Sequence, residues 1–75
     1  MLYEHKRKTI EMIHEGKYAA EVEVTVHYSG TDWDPTIELA EVQKVERVQL
    51  ALRRGDVKAA AKEAKVFELL PLVGQ

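Results

Sequence analysis

No cysteine occurs among the 75 residues. Disulfides, thiolate metal sites and cysteine nucleophiles are therefore excluded. Glycine is sparse, and Gly16, Gly30, Gly55 and Gly74 lie too far apart to build a phosphate-cradling loop. No apolar run approaches the roughly 18 residues that a membrane-spanning helix needs. The opening "MLYEHKRKT" carries charge where a secretion signal has its apolar stretch, so a cytoplasmic protein without membrane contact is expected. A strong basic excess is also missing, since the net charge is −2. Non-specific grip on nucleic acid is accordingly disfavoured. His5, His14 and His27 lack the tight spacing of zinc ligands, so neither a metal site nor a cofactor is expected. Ser29 follows His27 by two residues, but no oxyanion donor or orienting acid accompanies them. The chain reads as a non-enzyme.

What is present is patterned. From Tyr18 to Tyr28 the alternation is strict: Tyr18, Ala20, Val22, Val24, Val26 and Tyr28 share one parity, with Ala19, Glu21, Glu23, Thr25 and His27 on the other. Period two with β-branched residues predicts a strand with one buried face. Upstream, "KTIEMIH" alternates more weakly, and "HEGK" reads as a type I turn with a glycine bulge at Gly16. That turn would set Met12 opposite Tyr18, Ile10 opposite Ala20 and Arg7 opposite Glu23. Ile10 and Met12 would then join the valines on the buried face. His5 and His27 would share the polar face, within reach of Glu4, Glu23 or Asp32.

The stretch "SGTDWDP" is a loop, because Pro35 disfavours a helical Asp34. Beyond it Val42, Val45, Val48 and Leu52 recur at helical spacing, and Leu39 and Leu50 widen the apolar arc. "RRGD" ends this helix: Gly55 suits the left-handed position after the last turn, and Asp56 can cap a second helix. In that second helix Val57, Ala60, Ala61, Ala64 and Phe67 share one side. Pro71 ends it, so residues 68–73 are expected to be an extended segment or a third strand. The fold class is α+β, a single domain over 1–75, with an N-terminal β-hairpin packed on two antiparallel helices.

Two surfaces stand out. Trp33, flanked by Asp32 and Asp34 and close to Tyr28, either folds back over the small core or anchors a protein partner, since tryptophan is enriched at binding hot spots. The other is an unpaired sheet edge, a place where another chain or a second copy can add a strand to give a homodimer. The alternative is a regulatory module, antitoxin-like or phage-encoded, that touches nucleic acid through Arg53, Arg54, Lys58, Lys62 and Lys65. A lysine-rich solvent face is the ordinary explanation of these residues. Charge is segregated: residues 18–46 hold seven acids and one lysine, whereas 47–75 hold six Lys/Arg and three acids.

"YAAEVEV", "DWDP" and the helix–"GD"–alanine segment together resemble a group of short bacterial proteins of unknown function. The likeness covers residues 18–72 and implies a bacterial or phage origin. It carries over no catalytic or binding residue.

Overall fold

A computed structural model describes residues 4–29 and 35–72. Two long strands, β1 (Glu4–Glu15) and β2 (Tyr18–Ser29), form an antiparallel hairpin. Two short strands, β3 (Thr36–Ile37) and β4 (Lys65–Glu68), pair antiparallel with the other side of β2. Between them run α1 (Leu39–Arg53) and α2 (Val57–Ala61). The α+β class with its antiparallel sheet and two helices is as expected from the patterning.

The hairpin register is not. Glu15 pairs with Tyr18, which leaves a two-residue turn of Gly16 and Lys17. Gly16 has φ of 59° and Lys17 has no positive φ, the signature of a II′ turn, whose first central position favours glycine. Pairing is thereby displaced by three residues, an odd number, and every β1 side chain changes face. Ile13 now lies opposite Ala20, and Ile10 and Met12 lie opposite Glu23 and Glu21. Ile10 is 52% and Met12 62% exposed, so the expectation that they join the core is overturned. His5 pairs with Tyr28, while His27 pairs with Lys6. The two histidines therefore occupy opposite faces and do not share a polar one.

The core lies between the even-numbered face of β2 and the helices. Ile13, Ala20, Val22, Val24 and Val26 are buried against Val48, Ala51, Leu52 and Ala60. Each of the buried Val, Leu and Ile side chains contributes about 1.5–3 kcal/mol. The backbone N–H of Thr25 donates to a Glu41 carboxylate oxygen near the start of α1, while Arg53 near its end reaches Glu15 beside the turn. α1 thus runs back along the hairpin from its open end towards Gly16. Fifteen helical residues span only about 22 Å, against about 40 Å for a twelve-residue strand. One end of the hairpin consequently extends past the helical layer. The radius of gyration of 15.8 Å records this, against about 11 Å for a compact chain of this length.

The α1 C-terminus closes as the sequence suggests. The Gly55 N–H donates to the Leu52 carbonyl and the Asp56 N–H to the Ala51 carbonyl, a Schellman motif with Gly55 at φ 77°. Asp56 then caps α2 by accepting from the Ala59 N–H at 3.2 Å. A Cβ at position 55 would meet nothing within 4 Å, so a substitution there costs backbone conformation alone. Gly55→Ala is expected to lose about 1 kcal/mol and to lower the melting temperature by about 4–8 °C. An unchanged thermal melt would contradict the motif.

The second helix is shorter than its alanines suggest. It stops at Ala61, and Lys65–Glu68 return as β4, placing Val66 opposite Ala20 and Phe67 opposite Ala19. The extended segment begins at Lys65, so Phe67 belongs to a strand and not to the helix. Pairing continues past β4, where the Leu69 N–H donates to the Lys17 carbonyl at 2.7 Å.

Candidate interaction surface

Which backbone groups remain open follows from the alternation of an antiparallel ladder, in which both polar groups of one residue point to the same neighbour. On β2 the odd-numbered residues turn away from β1. The Lys17 carbonyl takes the Leu69 N–H, and the Thr25 N–H goes to Glu41. Even-numbered β2 residues therefore serve β1, and their partners there are odd-numbered. The N–H and C=O groups of Lys6, Lys8, Ile10, Met12 and His14 consequently face outward along the free edge of β1. No described strand pairs with that edge.

The flanking side chains are distributed by the same parity. On the helix-covered face β1 contributes Arg7, Thr9 and Glu11, all exposed, because α1 does not reach across them. The opposite face carries Lys8, Ile10 and Met12, with Lys8 3.7 Å from Glu23. Beside Glu11 opens a groove of about 250 Å³, lined by Ile37, Val42, Val45, Glu41 and Glu46. Its floor is apolar and its rim acidic. Glu41 is held below its ordinary pKa, first by the Thr25 backbone N–H and then by Lys44, 3.2 Å away. Neither the Glu11 nor the Glu46 carboxylate has an ion pair or hydrogen bond among the described residues.

Of the residues singled out in the sequence, Asp32, Trp33 and Asp34 lie outside the described residues. Tyr28 is half-buried at the open end of the hairpin. It stacks on His5 at 5.2 Å between ring centroids, and the Arg7 guanidinium lies 5.7 Å from its centroid. Sequence reasoning missed the Arg7–Glu11 face because the misplaced turn put Arg7 opposite Glu23 on the sheet's other side.

The five basic residues do not form one helical stripe. Arg53 is paired with Glu15 at 3.1 Å, an interaction that raises the guanidinium pKa and, together with Gln49, lowers that of Glu15. Arg54 follows the end of α1, Lys58 lies on α2, Lys62 is its C-cap, and Lys65 stands on β4 with its ammonium 5.5 Å from the Phe67 centroid. Arg47, which the sequence reading had not singled out, binds Glu63 through two hydrogen bonds of 2.6 and 2.9 Å.

Among the described residues no group of three or more His, Cys, Asp or Glu side chains could hold a metal ion. His14 hydrogen-bonds the Gly16 carbonyl at 2.9 Å, and His27 lies 3.6 Å from Glu38. Among the described residues no helix is long and apolar enough to cross a membrane. No known family model, curated protein or solved structure matches the chain.

Proposed function

We propose that this is a non-enzymatic interaction protein that adds a strand from another chain, or from a second copy of itself, to the free edge of β1. The observation that carries the reading is a twelve-residue edge strand whose even-numbered backbone groups all face outward. Exposed edges of this length template strand addition unless something guards them. Lys6 and Lys8 guard only one end, and Ile10 and Met12 leave the middle apolar on one side. The Trp33 loop joins β2 to β3 in the chain and supplies a second contact in this reading.

A proline at position 10 tests it. The Ile10 N–H points away from β2, so Ile10→Pro removes an edge donor without removing a bond of the hairpin, the one strand setting that proline tolerates. The tagged variant, expressed in its native cells, should keep its circular dichroism spectrum and lose the chain that co-purifies with the wild type. Retention of the same co-purifying chain by a folded variant would refute the reading.

A further inference from the structure

We propose that the occupant of the β1 edge is the β1 strand of a second copy, paired antiparallel about a two-fold axis through Thr9. This rests on the edge-binding reading above and names its partner. A two-fold axis perpendicular to the sheet preserves faces. Residues set opposite one another must then have the same parity, and the axis must pass through a residue. The sequence of β1 decides which one.

An axis at Glu11 would set Glu11 against its own copy, a like-charge pair that destabilises a ladder. It would also set Arg7 against Glu15, already engaged by Arg53 and Gln49. An axis at Lys8 makes the same error with two ammonium groups. An axis at Ile10 pairs Ile10 with itself but places Arg7 opposite Ile13 and Glu11 opposite Thr9, so neither charge meets an opposite one. Only an axis at Thr9 avoids like charges and sets Arg7 opposite the Glu11 of the second copy, twice over by symmetry. Thr9 faces Thr9 between them, and such threonine pairs and opposite charges are the favourable cross-strand combinations. On the other face the Lys6 and Lys8 stems lie over Met12 and Ile10 of the second copy, as long side chains cover apolar surface while their charges stay in water.

The acidic groove supports the same register. Glu11 forms part of its lining, with Glu41 and Glu46 on the rim. The Thr9 axis brings the second copy's Arg7 to the Glu11 side of that groove. The Arg7 guanidinium lies over the Tyr28 ring, and its charge has no described carboxylate partner. Cation and groove complement each other only across the axis, which is what a surface built to meet its own copy requires.

The absence of cysteine makes the register directly measurable. Odd-numbered pairs across this edge are of the non-hydrogen-bonded kind, about 4.5 Å between Cα atoms, within disulfide reach. Thr9→Cys should therefore oxidise to a covalent dimer. Ile10→Cys and Glu11→Cys should not, because their Cα atoms sit about 8 and 14 Å from their copies in this register. The native chain should sediment as a dimer. Arg7→Glu and Glu11→Arg should each raise the dissociation constant about tenfold or more, and the double swap should restore it. A chain that stays monomeric at high micromolar concentration overturns this proposal. In that case co-purification of a different chain, lost in Ile10→Pro, would leave the edge-binding reading standing. Cross-linking through position 10 or 11 in preference to 9, or a swap that fails to restore a dimer, also overturns the proposal.

Discussion

Leu52→Ala should abolish most of the folded population at room temperature, while Leu50→Ala, two residues earlier on the same helix, should leave the protein folded. Leu52 is 3% exposed and packs in the cluster with Val22, Val24 and Ala60. Leu50 is 49% exposed on the flank of α1 shared with Arg47 and Arg54. Truncating a buried leucine removes its transfer free energy and leaves a cavity, together about 2–5 kcal/mol. A single small core of this size supplies only about 3–5 kcal/mol. The two magnitudes nearly coincide, so one substitution consumes the margin. Replacement of an exposed leucine stays within about 0.5 kcal/mol. Urea titrations followed by circular dichroism compare the midpoints directly. Similar midpoints for the two variants would mean that α1 buries a different face.

The part of this core that the sequence displays is the part governed by strong local signals. Between Tyr18 and Tyr28 only Ala19 breaks the alternation, buried where it pairs with Phe67 of β4, and Ala20, Val22, Val24 and Val26 are buried on the even parity. Gly55 and Asp56 specify a helix stop and restart through their own backbone and side-chain chemistry, and both do so. The register of β1 was hidden for a physical reason. Its apolar residues fall on both parities, Ile10 and Met12 against Ile13, so neither face declares itself. The decision passes to the turn, where a glycine followed by lysine satisfies a two-residue II′ geometry as readily as a three-residue bulge. Since α1 lies over β2 and does not reach across β1 at these levels, Arg7, Thr9 and Glu11 lie on the core's side of the sheet without being buried, although Val26, Val24 and Val22 opposite them are. Burial periodicity therefore could not mark them.

A similar competition explains β4. "KAAAKEAK" has high helix propensity, yet Val66 and Phe67 favour a strand, and β2 would otherwise leave the outward groups of Ala19 and Glu21 unpaired. Tertiary hydrogen bonding outweighs a few tenths of a kcal/mol of propensity per residue. The same register error hid the candidate surface. The charge pairing of Arg7 with Glu11 appears only once β1 is placed correctly on β2 and its outward-facing groups are known. Trp33, the lone tryptophan, lies outside the described residues, and the outward-facing groups of β1 are set without it.

Val24→Asp should leave the chain unfolded at neutral pH and should reverse the sign of its pH dependence. In the native protein Glu15, Glu41 and Glu63 are all held below their ordinary carboxylate range, chiefly by Arg53, by the Thr25 N–H and by Arg47 respectively. A depressed folded-state pKa contributes stability that is complete above the unfolded value, about 4.3 for glutamate, and is lost as pH falls through the folded value. Native stability should therefore decline below about pH 4.5. Val24 is 1% exposed and faces α1 with no buried polar neighbour. A carboxyl introduced there meets no donor, and desolvation pushes its pKa upward. It is tolerated only when protonated, and stability tied to a raised pKa is gained as pH falls. With an osmolyte such as trimethylamine N-oxide present to restore measurable folding, the deficit of Val24→Asp relative to wild type should shrink between pH 7 and pH 5. That of Val24→Asn, which cannot titrate, should stay constant. Parallel deficits for the two variants across that range would place Val24 in contact with water and remove the centre of the proposed core.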